Sequence, residues 1–209
     1  MKIVNPSAEI ITPINGAEIM KHIESCGRTC YKSESNITED SAAKFVRRII
    51  KRGHESVLEH CSLTVKFICD RGVSHEIVRH RIASYSQEST RWCDYSSDKF
   101  DGELSFIKPC FWEENSQYYD TWKSTMMWIE KIYKGYRKFG VKPEEARSIL
   151  PNSLKTELVM TANLREWRHF LKLRTAKDAH PQMREVANML LAKFKEALPI
   201  VFEGIGDSE

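Results

Sequence analysis

The 209-residue sequence has no long hydrophobic run, and its longest apolar stretches are only a few residues each. Because a helix needs about 20 apolar residues to cross a bilayer, no membrane span or membrane partner is expected. Asn5, Pro6 and Glu9 interrupt any secretory hydrophobic segment near the start, which favours a cytoplasmic location. The six cysteines form no CxxC pair, and in that compartment we expect reduced thiols.

The sequence also lacks strong net charge, internal repeats and a glycine-rich phosphate loop. A formal net charge of only +3 gives little attraction for a long polyanion. We therefore expect no nucleic-acid polymer as a partner. Any site for a smaller anion must depend on the local placement of arginines.

Hydrophobic spacing predicts one α+β domain over residues 1–209, with a small sheet and several helices. Strands are predicted at 8–12, 61–69 and 154–162, and helices at 17–31, 39–51, 113–139, 143–148, 164–174 and 182–197. Ser74 is predicted to cap a short helix that runs into 79–81, and 84–98 is predicted to be a loop. One stripe on the long helix predicts core packing: Tyr119, Trp122, Met126, Ile129, Tyr133 and Tyr136.

The densest polar stretch lies at residues 79–91. It contains Arg79, Arg81 and Arg91, a histidine at position 80, and several hydroxyl and amide side chains. The planar guanidinium group matches phosphate and carboxylate oxygens, so the stretch is suited to a small ligand with several negative charges. A solvated basic helix end followed by a polar loop accounts for the same composition.

A second polar cluster lies in the C-terminal half and contains Arg147, Asn163, Arg165, His169 and Arg174. Arg165 and His169 are four residues apart and share one face of the predicted helix. The apolar residues of that helix lie on another face: Leu164, Trp167 and Leu171. One face can therefore pack while the other lines a site, although ordinary surface charge would give the same pattern.

The first cluster resembles the signature of flavin-dependent thymidylate synthases. That signature is Arg79-His80-Arg81, a gap of seven residues, and then Ser89-Thr90-Arg91. Three further elements are similar to the family: His54-Glu55-Ser56, Ala146-Arg147 before Leu150-Pro151, and Asn163-Leu164-Arg165 followed by His169 and Arg174. The resemblance covers roughly residues 50–190.

The resemblance implies a homotetrameric enzyme that converts dUMP to dTMP, with each site formed between subunits. It implies methylenetetrahydrofolate as the carbon donor, FAD as the cofactor and hydride carrier, and NADPH as the reductant of the flavin. No protein nucleophile is implied for the pyrimidine.

The resemblance also implies roles for individual residues. FAD would contact His54, Ser56, Arg79, His80, Arg81, Gln87, Asn163, Arg165 and His169. The nucleotide dUMP would contact Glu76, Arg79, Gln87, Glu88, Ser89, Thr90, Arg91, Arg147 and Arg174. Within that second set, Arg91 and Arg147 would clamp the phosphate, and Arg174 would be the catalytic cation at the uracil ring.

Three alternatives compete with this interpretation. Ser89 could be a nucleophile, but no GxSxG elbow surrounds it. His75 and His80 superficially resemble a zinc motif, but they are five residues apart and point to different helix faces, so no metal is expected. The chain could also be a non-catalytic nucleotide or nucleic-acid binding module, against which its weak net charge argues.

Overall fold

The computed structural model describes residues 1–206 and confirms an α+β fold with small sheets and several helices. The strands are β1 (Lys2–Val4), β2 (Ser7–Ile10), β3 (Ser62–Asp70), β4 (Ser84–Gln87), β5 (Ser105–Ile107) and β6 (Lys155–Asn163). The helices are α1 (Gly16–Thr29), α2 (Ser41–Lys51), α3 (Arg71–Ile77), α4 (Gln117–Lys138), α5 (Pro143–Ala146), α6 (Leu164–Arg174) and α7 (Pro181–Ala197). Short 3-10 helices occupy Glu34–Asn36, Glu55–His60, Asp98–Phe100 and Arg147–Ile149.

Two sheets organise the strands. Four strands pair in the order β2-β3-β6-β4, and β1 pairs with β5 in parallel, with Lys2 opposite Ser105 and Val4 opposite Ile107. Alternate residues of β3 are buried, including Leu63, as the period-two pattern of that segment predicts.

The chain forms two compact units by its internal contacts. The first unit contains residues 1–7, 67–79 and 86–159, and the second contains 8–66, 80–85 and the chain from 160 onward. The single domain expected over residues 1–209 stays a prediction. Within the described residues 1–206, no helix is long and apolar enough to span a membrane.

In the first unit, α4 supplies much of a hydrophobic cluster. Tyr119, Trp122, Met126 and Tyr133 are buried on one helix face, as their spacing predicts. The prediction is wrong for Tyr136, which remains 40% exposed because it lies in the last turn of α4, beyond the buried part of the stripe.

In the second unit, two adjacent residues anchor α6. Trp167 is fully buried, and its indole Nε1 donates a hydrogen bond to the carbonyl oxygen of Leu63 at 3.1 Å. Arg168 is also buried, and its guanidinium donates to the Glu55 carboxylate at 3.1 and 3.2 Å and to the carbonyl oxygen of Val201. These contacts fix the rotation of α6 about its axis.

Two local predictions are wrong, each for a physical reason. Asp70, not Ser74, caps α3, because its side chain accepts the backbone N–H of Val73 at 2.6 Å. Ser74 is buried inside the helix, and α3 ends at Ile77, before the first polar cluster. Residues 84–87, expected in a loop, form strand β4, because backbone pairing at a sheet edge requires no hydrophobic alternation.

The helical glycines Gly27 and Gly135 provide a test of packing in α1 and α4. A Cβ on Gly27 would approach the buried Phe45 ring at 2.5 Å, whereas one on Gly135 meets nothing within 4 Å. Gly27→Ala should therefore lower the free energy of unfolding by about 1–3 kcal/mol. Gly135→Ala should raise it by about 0.5–1 kcal/mol, because alanine favours the helix.

Urea unfolding of both variants at one protein concentration measures this difference. Equal effects of the two substitutions would contradict the tight contact between α1 and α2.

Candidate functional site

A buried chain of hydrogen bonds in the second unit joins Glu166, His80 and Arg174. The Nδ1 of His80 lies 3.0 Å from the Glu166 carboxylate, and the Nε of Arg174 donates to the Nε2 of His80 at 3.1 Å. His80 is 4% exposed and Glu166 is 7% exposed. Two of the sequence-predicted ligand residues, His80 and Arg174, are therefore in direct contact although 94 positions separate them.

These contacts determine the protonation of His80. Arginine can only donate, so the Nε2 of His80 must accept and its Nδ1 must carry the proton directed at Glu166. Burial is the largest cause that lowers the pKa of His80, and Arg174 lowers it further, whereas the hydrogen bond to Glu166 opposes the shift. His80 is therefore neutral at pH 7.

Two aromatic residues contact His80, one at its ring and one at its backbone. The Phe170 ring packs edge-on at 4.8 Å between centroids, and the Tyr85 hydroxyl donates to the His80 carbonyl oxygen at 2.5 Å. Burial raises the pKa of Tyr85 to about 12, so its hydroxyl stays protonated and can donate throughout the neutral range. Together these contacts restrain the ring and the backbone of His80.

The same cluster includes a geometry that a metal ion could use. Ligand atoms of His80, Glu166 and His169 lie within 4.8 Å of one another. Both ring nitrogens of His80 are engaged, however, and the adjacent Arg174 guanidinium would repel a cation. The cluster therefore fits a hydrogen-bond chain better than a metal centre.

Three residues of the predicted FAD set line one cavity of about 490 Å³ in the second unit. Asn163 lies at its edge as the N-cap of α6, where its side-chain oxygen accepts the backbone N–H of Glu166 at 2.9 Å. Arg165 and His169 lie one helical turn apart on the exposed face of α6. The Arg165 guanidinium forms an ion pair of 2.6 Å with Glu59.

Two more residues of that set, His54 and Ser56, line another cavity of the second unit, about 630 Å³ in volume. Both are exposed and lie at the start of the 3-10 helix Glu55–His60. Three arginines also line this cavity: Arg28, Arg48 and Arg52.

The two signature arginines on either side of His80 are both exposed. Arg79 ends the segment of the first unit that contains α3, and Arg81 belongs to the second unit. Their guanidinium groups are therefore accessible to a ligand.

In the first unit, two residues predicted to bind dUMP have well-defined partners. The Gln87 side-chain amide donates to the hydroxyls of Ser74 and Thr156 at 2.9 and 3.2 Å. The Glu88 carboxylate accepts from the Tyr95 hydroxyl at 2.7 Å and from Lys155 at 2.8 Å. Glu76, also of this set, is half-buried.

The end of the signature forms a turn beside a small cavity of the first unit. Thr90 and Arg147 line this cavity of about 280 Å³ together with Arg71 and His75. The hydroxyl of the preceding Ser89 accepts the backbone N–H of Arg91 at 3.3 Å. Two arginines, a histidine and a hydroxyl form a donor set suited to a phosphate group.

Arg91 lies on the surface near this turn. Its Nε donates to the Glu144 carboxylate at 3.0 Å, and its guanidinium lies 5.1 Å from the centre of the exposed Trp92 ring. The arginine is therefore oriented before any ligand arrives.

Comparisons with known proteins decide the family. The family described as "Thymidylate synthase complementing protein" matches residues 15–200. The chain belongs to the flavin-dependent thymidylate synthase family. The flavin-dependent thymidylate synthase of Pyrococcus abyssi is 38% identical over 174 residues, covering 81% of this chain and 70% of the relative. That of Thermococcus onnurineus is 42% identical over 158 residues, covering 74% of this chain and 64% of the relative.

A solved structure has a similar fold. The UMP/dUMP methylase PolB from Streptomyces cacaoi, in a crystal structure with bound 5-Br dUMP, aligns with a TM-score of 0.78. The alignment covers 97% of this chain and 96% of that one at 20% sequence identity.

The side chains of the second unit fit the FAD that flavin-dependent thymidylate synthases are named for. A flavin dinucleotide carries a pyrophosphate, which guanidinium and ammonium groups bind through charge-assisted hydrogen bonds. The cavity with Arg165 also contains Lys172, and the cavity with His54 contains Arg48 and Arg52. Glu55 is paired with the buried Arg168, whereas Glu59 is paired with Arg165 itself, so a pyrophosphate at Arg165 would replace the Glu59 carboxylate.

Several residues that contact the candidate site residues are not predicted from the sequence. Glu166 lies three positions after Asn163, and that spacing is typical of a local capping box, so it gives no indication of a distant histidine. Lys155 was not singled out either, although it contacts Glu88 and Glu157 from strand β6. Arg71 and His75 lie outside the signature, although both line the cavity with Arg147.

Asp94, in the segment that follows the signature, pairs with Arg137 of α4. This ion pair makes the stability of the protein depend on pH. Two hydrogen bonds of 2.8 and 3.0 Å from Arg137 are the main cause that lowers the pKa of Asp94 to about 2, from an ordinary value of 3.8. Because the folded state lowers this pKa, the pair stabilises the protein above pH 4. That contribution is lost as the pH falls through the interval from 4 to 2.

Asp94→Asn should therefore cost about 1–2 kcal/mol at pH 7, after allowance for solvent screening, and almost nothing at pH 2. Urea unfolding at a series of pH values measures the difference, with Asp98→Asn in the same segment as the control. A constant difference from pH 7 to pH 2 would refute the assignment.

Proposed function

We propose that this chain is an FAD-dependent thymidylate synthase, a methyltransferase that converts dUMP to dTMP. Methylenetetrahydrofolate donates the carbon, and NADPH reduces the flavin. Family membership over residues 15–200 makes FAD the cofactor and the methylation of a uracil nucleotide the reaction. The observation that supports it most directly is the buried contact between His80 of the signature and Arg174.

FAD is held by the polar residues of the predicted set: His54, Ser56, Arg79, His80, Arg81, Gln87, Asn163, Arg165 and His169. Arg165 and Arg81 have exposed guanidinium groups that neutralise the pyrophosphate. The chemistry supplied by bound FAD, once reduced, is transfer of the hydride that completes the methyl group. Asn163 holds the start of α6 and thereby fixes the position of Arg165.

The nucleotide is bound by residues that donate hydrogen bonds to it or that orient such donors. These residues are Glu76, Arg79, Gln87, Glu88, Ser89, Thr90, Arg91, Arg147 and Arg174. Arg147 and Thr90 bind the phosphate in their cavity. The Glu88 carboxylate is bonded to Lys155 and Tyr95. These two bonds keep its negative charge away from the phosphate of the nucleotide. Ser89 holds the turn through Arg91 rather than acting as a nucleophile.

Arg174 is the catalytic residue. It donates to the uracil edge and stabilises the negative charge that develops when the ring is activated. A fixed, partly desolvated cation is more effective in this role than one in water, because the local dielectric constant is lower.

The assembly is a homotetramer in the cytoplasm, with each site shared between subunits. One feature supports assembly. The exposed face of α4, with Trp128 at 62% and Met127 at 55% exposure, offers apolar surface for a partner subunit.

The first test is spectroscopic. The purified protein, supplied with FAD if necessary, should show a flavin spectrum that bleaches under NADPH without oxygen. It should then form dTMP from dUMP and methylenetetrahydrofolate. A protein that takes up no FAD would overturn the proposal, as would a flavoprotein that forms no dTMP.

The second test concerns the phosphate clamp. Arg147→Ala should raise the KM for dUMP by about 10- to 100-fold, because a charge-assisted hydrogen bond contributes about 1.5–3 kcal/mol. Bound FAD should not change. Arg47→Ala is the matched control, since that arginine pairs with Glu203 on the surface of the second unit. An unchanged KM in Arg147→Ala would remove that residue from the nucleotide site.

A further inference from the structure

We infer that Glu166 and His80 form a positioning pair that orients the guanidinium of Arg174 for the reaction. The inference rests on the proposed catalytic role of Arg174. Its basis is the chain of two hydrogen bonds, 3.0 Å from His80 to Glu166 and 3.1 Å from Arg174 to His80.

The hydrogen bond at Nε restricts the orientation of the Arg174 guanidinium group. An arginine side chain carries about 2 kcal/mol of rotamer entropy, so a half-buried arginine without a fixed partner samples many orientations. A hydrogen bond at Nε fixes the plane of the guanidinium group. The two terminal nitrogens of Arg174 are then directed by the fold rather than by the ligand alone.

A neutral histidine is better suited to this task than a carboxylate. A direct ion pair with Glu166 would neutralise much of the positive charge that Arg174 presents to the pyrimidine. The imidazole accepts the Nε–H bond while it is neutral, and Glu166 holds its other nitrogen in the donor state. The carboxylate therefore fixes the tautomer of His80 and stays separated from Arg174 by the width of the ring.

The backbone on both sides of the pair is itself anchored. The Asn163 side chain accepts the N–H of Glu166 at 2.9 Å, and the Tyr85 hydroxyl donates to the carbonyl oxygen of His80 at 2.5 Å. Second-layer contacts of this kind hold groups in catalytic sites to within fractions of an ångström.

Among residues 1–206, Glu166, Arg174 and His169 act on the charge of His80, and the Tyr85 hydroxyl bonds to its backbone carbonyl. Of these, only Glu166 favours the protonated imidazole, and burial opposes it. His80 thus remains an acceptor for Arg174 over the neutral range. Acidification that protonated His80 would replace the hydrogen bond with repulsion between two cations.

The test begins with His80→Phe, which keeps a ring but removes both nitrogens. Because His80 belongs to the proposed FAD set, the FAD content of each variant is measured first and kcat is then taken at saturating FAD. The kcat for dTMP formation should fall by about 10- to 100-fold, because Arg174 has lost the hydrogen bond at its Nε. His22→Phe is the control, since His22 is an exposed histidine of α1.

A double-mutant cycle separates positioning from general stability. Arg174→Lys retains a positive charge but has no Nε–H, so His80→Phe should add at most about a threefold further loss in that background. A full, multiplicative loss in both backgrounds would mean that His80 supports the fold rather than Arg174, and would overturn the inference.

Nitrogen-15 NMR of histidine-labelled protein tests the pair without reference to turnover. His80 should be neutral with its proton on Nδ1 at pH 7, and Glu166→Gln should allow the other tautomer. If wild type forms no dTMP but shows this tautomer, the proposed function fails while the pair stands. A proton on Nε2 in the wild type would overturn the inference, as would one equivalent of bound metal lost in Glu166→Gln.

Discussion

The site of the second unit depends on how helix α6 is held. Trp167 binds to the backbone of β3 through Leu63, and Arg168 binds to Glu55 and Val201, so the helix cannot rotate about its axis. Residues on the other face of α6 then have fixed directions. Arg165 and His169 face a cavity, and Arg174 reaches His80 from the last turn. A buried arginine inside a helix is costly unless it is fully paired, and Arg168 meets that condition.

Much of the fold could be predicted from the sequence, because several elements carry strong local signals. Helix α6 was predicted at 164–174 and is found at Leu164–Arg174, since Asn163 caps it and its apolar residues repeat at helical spacing. The short parallel strands β1 and β5 were not predicted. Three residues are too few for an alternation pattern, and their pairing joins Lys2 with Ser105 across the sequence.

The sequence predicts candidate site residues one by one, but it does not predict which of them touch. The spacing of the signature and its resemblance to a family identified His80 and Arg174 separately. Their contact joins residues that are 94 positions apart, and the contact of His80 with Glu166 joins residues that are 86 positions apart. Both contacts depend on tertiary packing. Ser74 illustrates the opposite failure. Its residue type favours a helix cap, but Asp70, four residues earlier, occupies that position, and the Ser74 hydroxyl instead accepts from Gln87.

The ion pair between Arg91 and Glu144 has a consequence for discrimination among ligands. A ligand that takes the Nε–H of Arg91 displaces a carboxylate, so one anion is exchanged for another. A nucleotide brings a phosphate that replaces the lost interaction, but an uncharged nucleoside brings nothing comparable. Glu144 thus competes with ligands for Arg91. Only a ligand with its own negative charge replaces it without a net loss of binding energy.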